Sequence, residues 1–230
     1  MKIKFVGTGG AFDYLYGNSS AVIDFQQRKI LLDCGHSVYP RLRALDAVDS
    51  LDGVLVTHLH DDHVGSLSTL LFHRYFMPGS KRLTLYYPEE KFRQQVYSFL
   101  SISMQQPEIY VDFQPLQTLP GVDFIDTYGR HVANMQTYAY VFSDSTNVMV
   151  YSGDLGDPHL VAEQIQLKKL HPSYVFHDIC FLPNISAHAY YKDLERYLVN
   201  FPLLGYHCDA SQNPADNKIP LVYNHPEFLF

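Results

Sequence analysis

The stretch Val54–Ser68, VLVTHLHDDHVGSLS, constrains the fold more than any other part of the chain. It places three histidines and two aspartates within six consecutive residues, directly after an apolar run. Charged and imidazole groups are costly to bury unless they are paired or bind a metal. An apolar run that ends in them reads as a buried strand delivering polar groups to the end of a sheet. His58, His60, Asp62 and His63 form the spacing H-x-H-x-D-H. Extended backbone with period two puts His58 and His60 on the same side, and a following turn can swing Asp62 and His63 to the same cavity. Zinc and similar divalent ions favour imidazole and carboxylate ligands. The pattern therefore predicts two donor clusters close together, suited to two metals, rather than a solvated polar loop.

The rest of the chain has to build the sheets behind that loop. KIKFVG (Lys2–Gly7), SAVIDF (Ser20–Phe25) and KILLDCG (Lys29–Gly35) are short β-rich runs, with a hairpin turn expected between the second and third. A helix is expected over Val38–Ala47, a fourth strand in GVLVTH, and helical spacing in VGSLSTLLFHRYF. LTLYYP is a strand and EEKFRQQVYSFLSI an amphipathic helix. The second half repeats the style. IYVDFQPL, VDFIDTYG, MQTYAYVFS and NVMVYSGD read as strands, Leu160–Leu170 as a helix, SYVFHDIC as a strand and YYKDLERYLVNF as a helix. Strands followed by helices, twice over, suggest two packed sheets with helices outside. With no repeat, low-complexity segment or long linker, residues 1–230 are expected to form one domain.

Composition narrows the setting. A formal net charge of −7 argues against broad electrostatic binding of nucleic acid or an anionic membrane. Three dispersed cysteines, Cys34, Cys180 and Cys208, with no CxxC, do not make a disulfide framework. MKIKFVGTGG reads as a strand start rather than a secretory signal, and no apolar run approaches the ~20 residues of a membrane span. A cytoplasmic protein without membrane contact is expected.

THLHDDHVGSL resembles the signature of the metallo-β-lactamase-fold hydrolases. MKIKFVGTGGA and NSSAVIDFQQRKILLDCG resemble that family's opening strands, which end in an acidic residue, here Asp33. YSGDLGD resembles the segment that carries its bridging carboxylate. The resemblance implies an α/β fold, a four-layer αββα sandwich with metals at one edge of the sheets. It also implies a histidine between the first motif and the bridging aspartate. His73 lies within an amphipathic helix, whereas His131 lies between strands, so His131 is preferred. Asp154 is favoured over Asp157 because it stands nearest the strand end. His207, directly after apolar residues, is favoured over His225, which precedes a proline near the chain end. The implied ligands are His58, His60 and His131 for one metal and Asp62, His63 and His207 for the other, with Asp154 shared. Asp33 is expected to accept a hydrogen bond from a ligand imidazole.

Two adjacent cations lower the pKa of a water between them and make hydroxide the nucleophile. The family therefore implies hydrolysis of a phosphodiester, thioester, lactone or β-lactam. VFHDICFLPNISAHAYYKDLERYL resembles the corresponding segment of the phosphodiesterase branch typified by tRNase Z, which places Asp178 and His188 as the pair that delivers a proton to the leaving oxygen. Asp178 stands where that branch commonly has glutamate, and AYY replaces its small hydroxylated residues. Asp62, Asp178 and His188 are the expected catalytic residues, with His188 as general acid. The tRNA-processing members carry a projecting arm, for which Gly156–Tyr174 leaves no room. Small phosphodiesters such as nucleotides or cyclic phosphates are thus favoured over tRNA 3′ ends. Phe12, Tyr14 and Tyr16 could stack on a base or form a surface or dimer contact. A lactonase or thioesterase would use the same metals without needing His188. Zinc, manganese and iron all suit the donor set, and a homodimer is common in this fold.

Overall fold

The computed structural model describes residues 1–230. Its strands fall into two sheets that follow the two halves of the chain. The first is six-stranded, with neighbours in chain order: β1 (Lys2–Gly7), β2 (Ser20–Phe25), β3 (Arg28–Leu32), β4 (Gly53–Leu55), β5 (Leu83–Tyr87) and β6 (Val111–Pro115). β2 runs antiparallel to both β1 and β3, and β3 to β6 run parallel. The second is five-stranded: β7 (Val122–Asp126), β8 (Tyr138–Ser143), β9 (Val148–Tyr151), β10 (Tyr174–Asp178) and β11 (Leu203–Tyr206). There β7, β8 and β9 are antiparallel, and β9, β10 and β11 parallel.

Side-chain alternation on β8 shows how four layers arise. Tyr138, Tyr140 and Phe142 join the core shared with the first sheet, while Ala139 and Val141 join a separate outer cluster. That outer cluster includes Val161 and Ile165 of α5 (Pro158–Leu167) and Leu194 and Leu198 of α6 (Tyr191–Leu198). On the far side, the first sheet is covered by α1 (Val38–Ala44), α3 (Leu67–Phe76) and α4 (Glu90–Met104), whose buried faces present Leu42, Leu70, Phe92 and Val96. Period two in the strands and period 3.6 in the helices thus sort the apolar residues into the layers of a metallo-β-lactamase fold, helix–sheet–sheet–helix. No helix is long and apolar enough to cross a membrane.

Several boundaries differ from expectation for local reasons. The β2–β3 hairpin turns on Gln26 and Gln27, both at positive φ (48° and 63°), as a two-residue turn of this kind requires. α1 stops at Ala44, before the left-handed Asp46. α5 begins two residues early because Pro158, which has no N–H to satisfy, occupies its first turn. α6 is shorter at both ends than YYKDLERYLVNF suggests. β4 ends at Leu55 instead of running to His58, because the Thr57 amide donates to the Asp33 carboxylate (2.7 Å) and not to a neighbouring strand.

Candidate metal centre

The C-terminal ends of β3, β4, β9, β10 and β11 meet at one edge of the sandwich, where each strand passes into a loop carrying a polar side chain. After β4 the chain runs through Thr57, His58 and His60 into α2 (Asp61–Val64), a single turn that the His63 and Val64 amides close onto the His60 carbonyl. This turn swings Asp62 and His63 inward. His58 and His63 are fully buried, Asp62 is nearly so, and His60 is half-buried.

The second sheet supplies its donors from separate places. Asp154 follows Ser152-Gly153 at the end of β9. Gly153 has φ +61°, and a Cβ there would lie 2.9 Å from that of Thr57, so glycine is required for the close approach of the two loops. His131 lies in the connection between β7 and β8 and is tied by its Nδ1 to the Ala187 carbonyl (2.6 Å). His207 directly follows β11, in the left-handed region (φ +60°), held by its amide donating to the Thr8 carbonyl (2.8 Å). Asp33, at the end of β3, is also left-handed (φ +60°), and its amide donates to Leu55. Non-glycine residues in this region cost on the order of 1–3 kcal/mol and persist where surrounding bonds impose them, commonly at functional positions.

These segments bring all seven expected ligands together. His58, His60 and His131 form one group. Asp62, His63, Asp154 and His207 form a second, and within each group the ligand atoms lie within 4.8 Å of one another. Asp154 stands between the groups: its carboxylate oxygens lie 3.3 Å from His63 Nε2, 3.2 Å from His207 Nε2, 3.8 Å from His131 Nε2 and 4.0 Å from His58 Nε2. The competing residues lie elsewhere. His73 bonds Tyr39 (3.1 Å), His225 bonds Glu227 (3.1 Å), and Asp157 pairs with Arg130 (3.1 Å).

The hydrogen-bond network fits a cation-binding role, because it fixes which ring nitrogens point inward. His63 Nδ1 donates to Asp33 Oδ2 (2.9 Å). Thr57 Oγ1 donates to the same oxygen (2.9 Å), which leaves it to accept from His58 Nδ1 (3.0 Å). His131 Nδ1 donates to a carbonyl. In all three rings the Nδ1 bond thereby aims Nε2 at the centre, the orientation a metal ligand needs. His58 Nε2 and His131 Nε2 each lie 3.0 Å from His60 Nδ1, so three ring nitrogens face a common point. His63 Nε2 and Asp154 Oδ1 are buried without a hydrogen bond, a costly state for polar atoms that a cation between them removes. Thr57 was not singled out in the sequence. Only its place between strand β4 and His58, both close to Asp33, could have suggested its relay role.

The charges are interlocked. Burial and the neighbouring His63 hold His58 well below the ordinary imidazole range, so it is neutral. Burial raises the Asp154 carboxyl, but His207, His63 and His58 outweigh it and keep it well below the usual carboxylate range. Burial opposes charging of His63, yet Asp154 and Asp33 on either side raise it well above its ordinary value.

Beside the second group, His188 Nδ1 bonds Asp178 Oδ2 (2.9 Å) and lies 3.8 Å from Asp154 Oδ2. Its ring stacks on His207, with centroids 5.2 Å apart. Asp178 is fully buried, and Ser152 Oγ accepts from its amide (3.0 Å). Burial opposes charging of His188, but the Asp178 hydrogen bond and the charges of Asp178, Asp154 and Asp62 raise it to about 9. Of the opening-loop aromatics, Phe12 and Tyr14 are more than 90% exposed (94% and 92%), whereas Tyr16 packs on Tyr223 (4.9 Å) and is not free to stack on a ligand.

With this geometry described, comparison with known proteins is direct. A family model for the anti-Pycsar protein Apyc1 matches residues 1–202. The chain is 30% identical over 223 residues to the anti-Pycsar protein Apyc1 of Bacillus phage 010DV004, covering 86% of this chain and 84% of that one. Among solved structures, the metallo-β-lactamase-fold protein YhfI from Bacillus subtilis superposes with a TM-score of 0.71 at 19% identity, over 99% of this chain and 92% of that one. The short form of human tRNase Z gives 0.67 at 16% identity, over 93% and 95%. The chain has the metallo-β-lactamase fold and belongs to the anti-Pycsar protein Apyc1 family.

Proposed function

We propose that the chain is a dinuclear metal phosphodiesterase acting on a small nucleotide or cyclic phosphate. His58, His60 and His131 hold one ion, Asp62, His63 and His207 the other, and Asp154 faces both. Zinc is the favoured ion, with manganese or iron able to use the same donors. When bound, two such cations make water nucleophilic near neutral pH and stabilise charge on the transferring phosphoryl oxygens. The residues of the chain supply the rest. Asp33 and Thr57 keep the ligand rings in register. Asp178 holds His188 in the tautomer that carries a proton on Nδ1 and, once protonated, on Nε2 as well.

The observation that carries this reading is the His188–Asp178 pair, 2.9 Å apart and set against Asp154. An ester whose leaving group is an alkoxide needs a proton delivered as the bond breaks, and a lactonase or thioesterase has no comparable need for this pair. The chain has its own α5 four residues after Asp154 and carries a net charge of −7, which favours a small substrate over tRNA.

The test is His188→Ala. Turnover of a 3′,5′-cyclic nucleotide should fall by about 10²–10⁴-fold, while metal content by elemental analysis stays unchanged. Bis-p-nitrophenyl phosphate, whose leaving group departs without a proton, should be affected much less. Equal retention of activity on both substrates would remove His188 from the chemistry and favour the lactonase or thioesterase reading. Hydrolysis of the nitrophenyl ester with added zinc or manganese, and its loss in Asp62→Ala, separates an enzyme from a binding module.

A further inference from the structure

The dipeptide His177-Asp178 closes β10, and only its second residue has a part in the chemistry above. Successive side chains of a strand point to opposite faces. Phe176 accordingly joins the core between the sheets, Val175 and Ile179 join the outer cluster, and His177 belongs by alternation to that outer side. Its ring is fully buried. Yet its Nδ1 lies 2.9 Å from the carbonyl oxygen of Asp178 and 3.0 Å from Asp178 Oδ1. Two acceptors facing one ring nitrogen require that nitrogen to carry the hydrogen. Nε2 is then a bare acceptor, and it is buried with no hydrogen bond. A leucine would be buried there without that cost. Resting on the phosphodiesterase reading above, we infer that His177 is a positioning residue: its Nδ1–H steadies one oxygen of Asp178 so that the other holds His188 toward the leaving group.

The Asp178 carboxylate is otherwise anchored through one oxygen only. Oδ2 accepts from His188 Nδ1 (2.9 Å), and this is the hydrogen bond by which the His188 side chain is held. Oδ1 is buried and accepts no hydrogen bond, so the N–H dipole of His177 beside it is the group that faces its charge. The last torsion of an aspartate is broad. Without that contact the carboxylate is free to turn about its Cβ–Cγ bond, and His188 turns with it. The backbone of Asp178 is fixed from both sides as well. Its carbonyl accepts from His177 Nδ1, and its amide donates to Ser152 Oγ (3.0 Å). Charge follows geometry here. Burial opposes ionisation of Asp178, but His177 and His188 outweigh it and hold the carboxyl below the usual carboxylate range. Orientation matters to the rate, since a misplacement of about 1 Å in a reacting group can cost about 10²-fold.

The experiment measures kcat and KM of the zinc-loaded protein carrying His177→Leu, His177→Asn or His177→Gln, on a 3′,5′-cyclic nucleotide and on bis-p-nitrophenyl phosphate. An asparagine amide can take the place of Nδ1–H, whereas a glutamine amide reaches the place of Nε2. The expected result is a kcat on the cyclic nucleotide lowered about 10–100-fold in the leucine and glutamine variants, with KM unchanged, and largely restored in His177→Asn. The nitrophenyl ester, whose leaving group departs without a proton, should lose little in any of them. In a His188→Ala background, His177→Gln should add no further loss, because the two residues act as one unit. Should His177→Leu fail to fold, the contrast between the two amides decides. Equal losses on both substrates, no difference between asparagine and glutamine, or an undiminished loss in the His188→Ala background overturns the positioning role and leaves the phosphodiesterase reading standing. A His188→Ala protein that turns over the cyclic nucleotide as fast as the wild type sinks that reading instead.

Discussion

The two halves of the molecule contribute to the same centre in opposite ways. The first half delivers His58, His60, Asp62 and His63 from one strand end and one helical turn, all within the reach of local backbone bonds. The second delivers His131, Asp154 and His207 from three loops separated by whole strands and helices, so their meeting depends on the order and register of β8 to β11. One side chain stitches the halves together, and another braces the first half from within. Asp154 crosses from the second sheet to face His58 and His63, and Asp33 orients those same rings from behind. A contiguous motif is therefore only half a site: its rings are aimed locally, but the carboxylate that neutralises them arrives by tertiary structure.

The largest expected effect comes from cutting the link between the halves. Asp154→Ala removes the carboxylate that faces the ring nitrogens of four expected ligands, and turnover should fall by about 10³-fold or more, with loss of bound metal in elemental analysis. Full metal occupancy in this variant would mean that each half binds on its own. Asp33→Asn keeps a residue that tolerates the left-handed backbone but weakens the acceptor for His63 and Thr57. Metal affinity should drop by roughly 10–100-fold in a chelator competition, and an unchanged affinity would show that the motif needs no support from β3. Thr57→Val deletes only the relay to His58 and leaves the His63–Asp33 bond in place. Its metal affinity should change less than in Asp33→Asn, and urea unfolding should report a loss of about 1–3 kcal/mol for the stranded buried polar atoms. A Thr57→Val effect as large as that of Asp33→Asn would shift the orienting role from the carboxylate to the hydroxyl.

What the sequence made legible follows the same division. The H-x-H-x-D-H spacing identified four donors because local geometry alone makes them converge. MQTYAYVFS read as a strand, which β8 is, but that both of its faces are buried shows only in the packed structure. His131 could be chosen over His73 only through the family resemblance, since both are histidines beside apolar residues; His73 in the structure bonds Tyr39 on α1. The early end of β4 and the part played by Thr57 were out of reach, because both depend on Asp33 standing across a parallel strand pair. The left-handed turns at Asp33 and His207 were equally hidden. Neither residue type announces a positive φ as glycine does, and each is imposed by long-range backbone bonds. The aromatic opening loop was read by composition alone, which could not separate Tyr16, packed on Tyr223, from the exposed Phe12 and Tyr14.

The bond from His131 to the Ala187 carbonyl has a thermodynamic corollary. Ala187 immediately precedes His188, so one short peptide segment restrains with its carbonyl a ring proposed to hold an ion and carries on its next residue the ring proposed to deliver the proton. On that reading, a guest that binds more tightly when this segment is ordered also tightens the hold on the ion, and loss of the ion loosens the guest by the same factor.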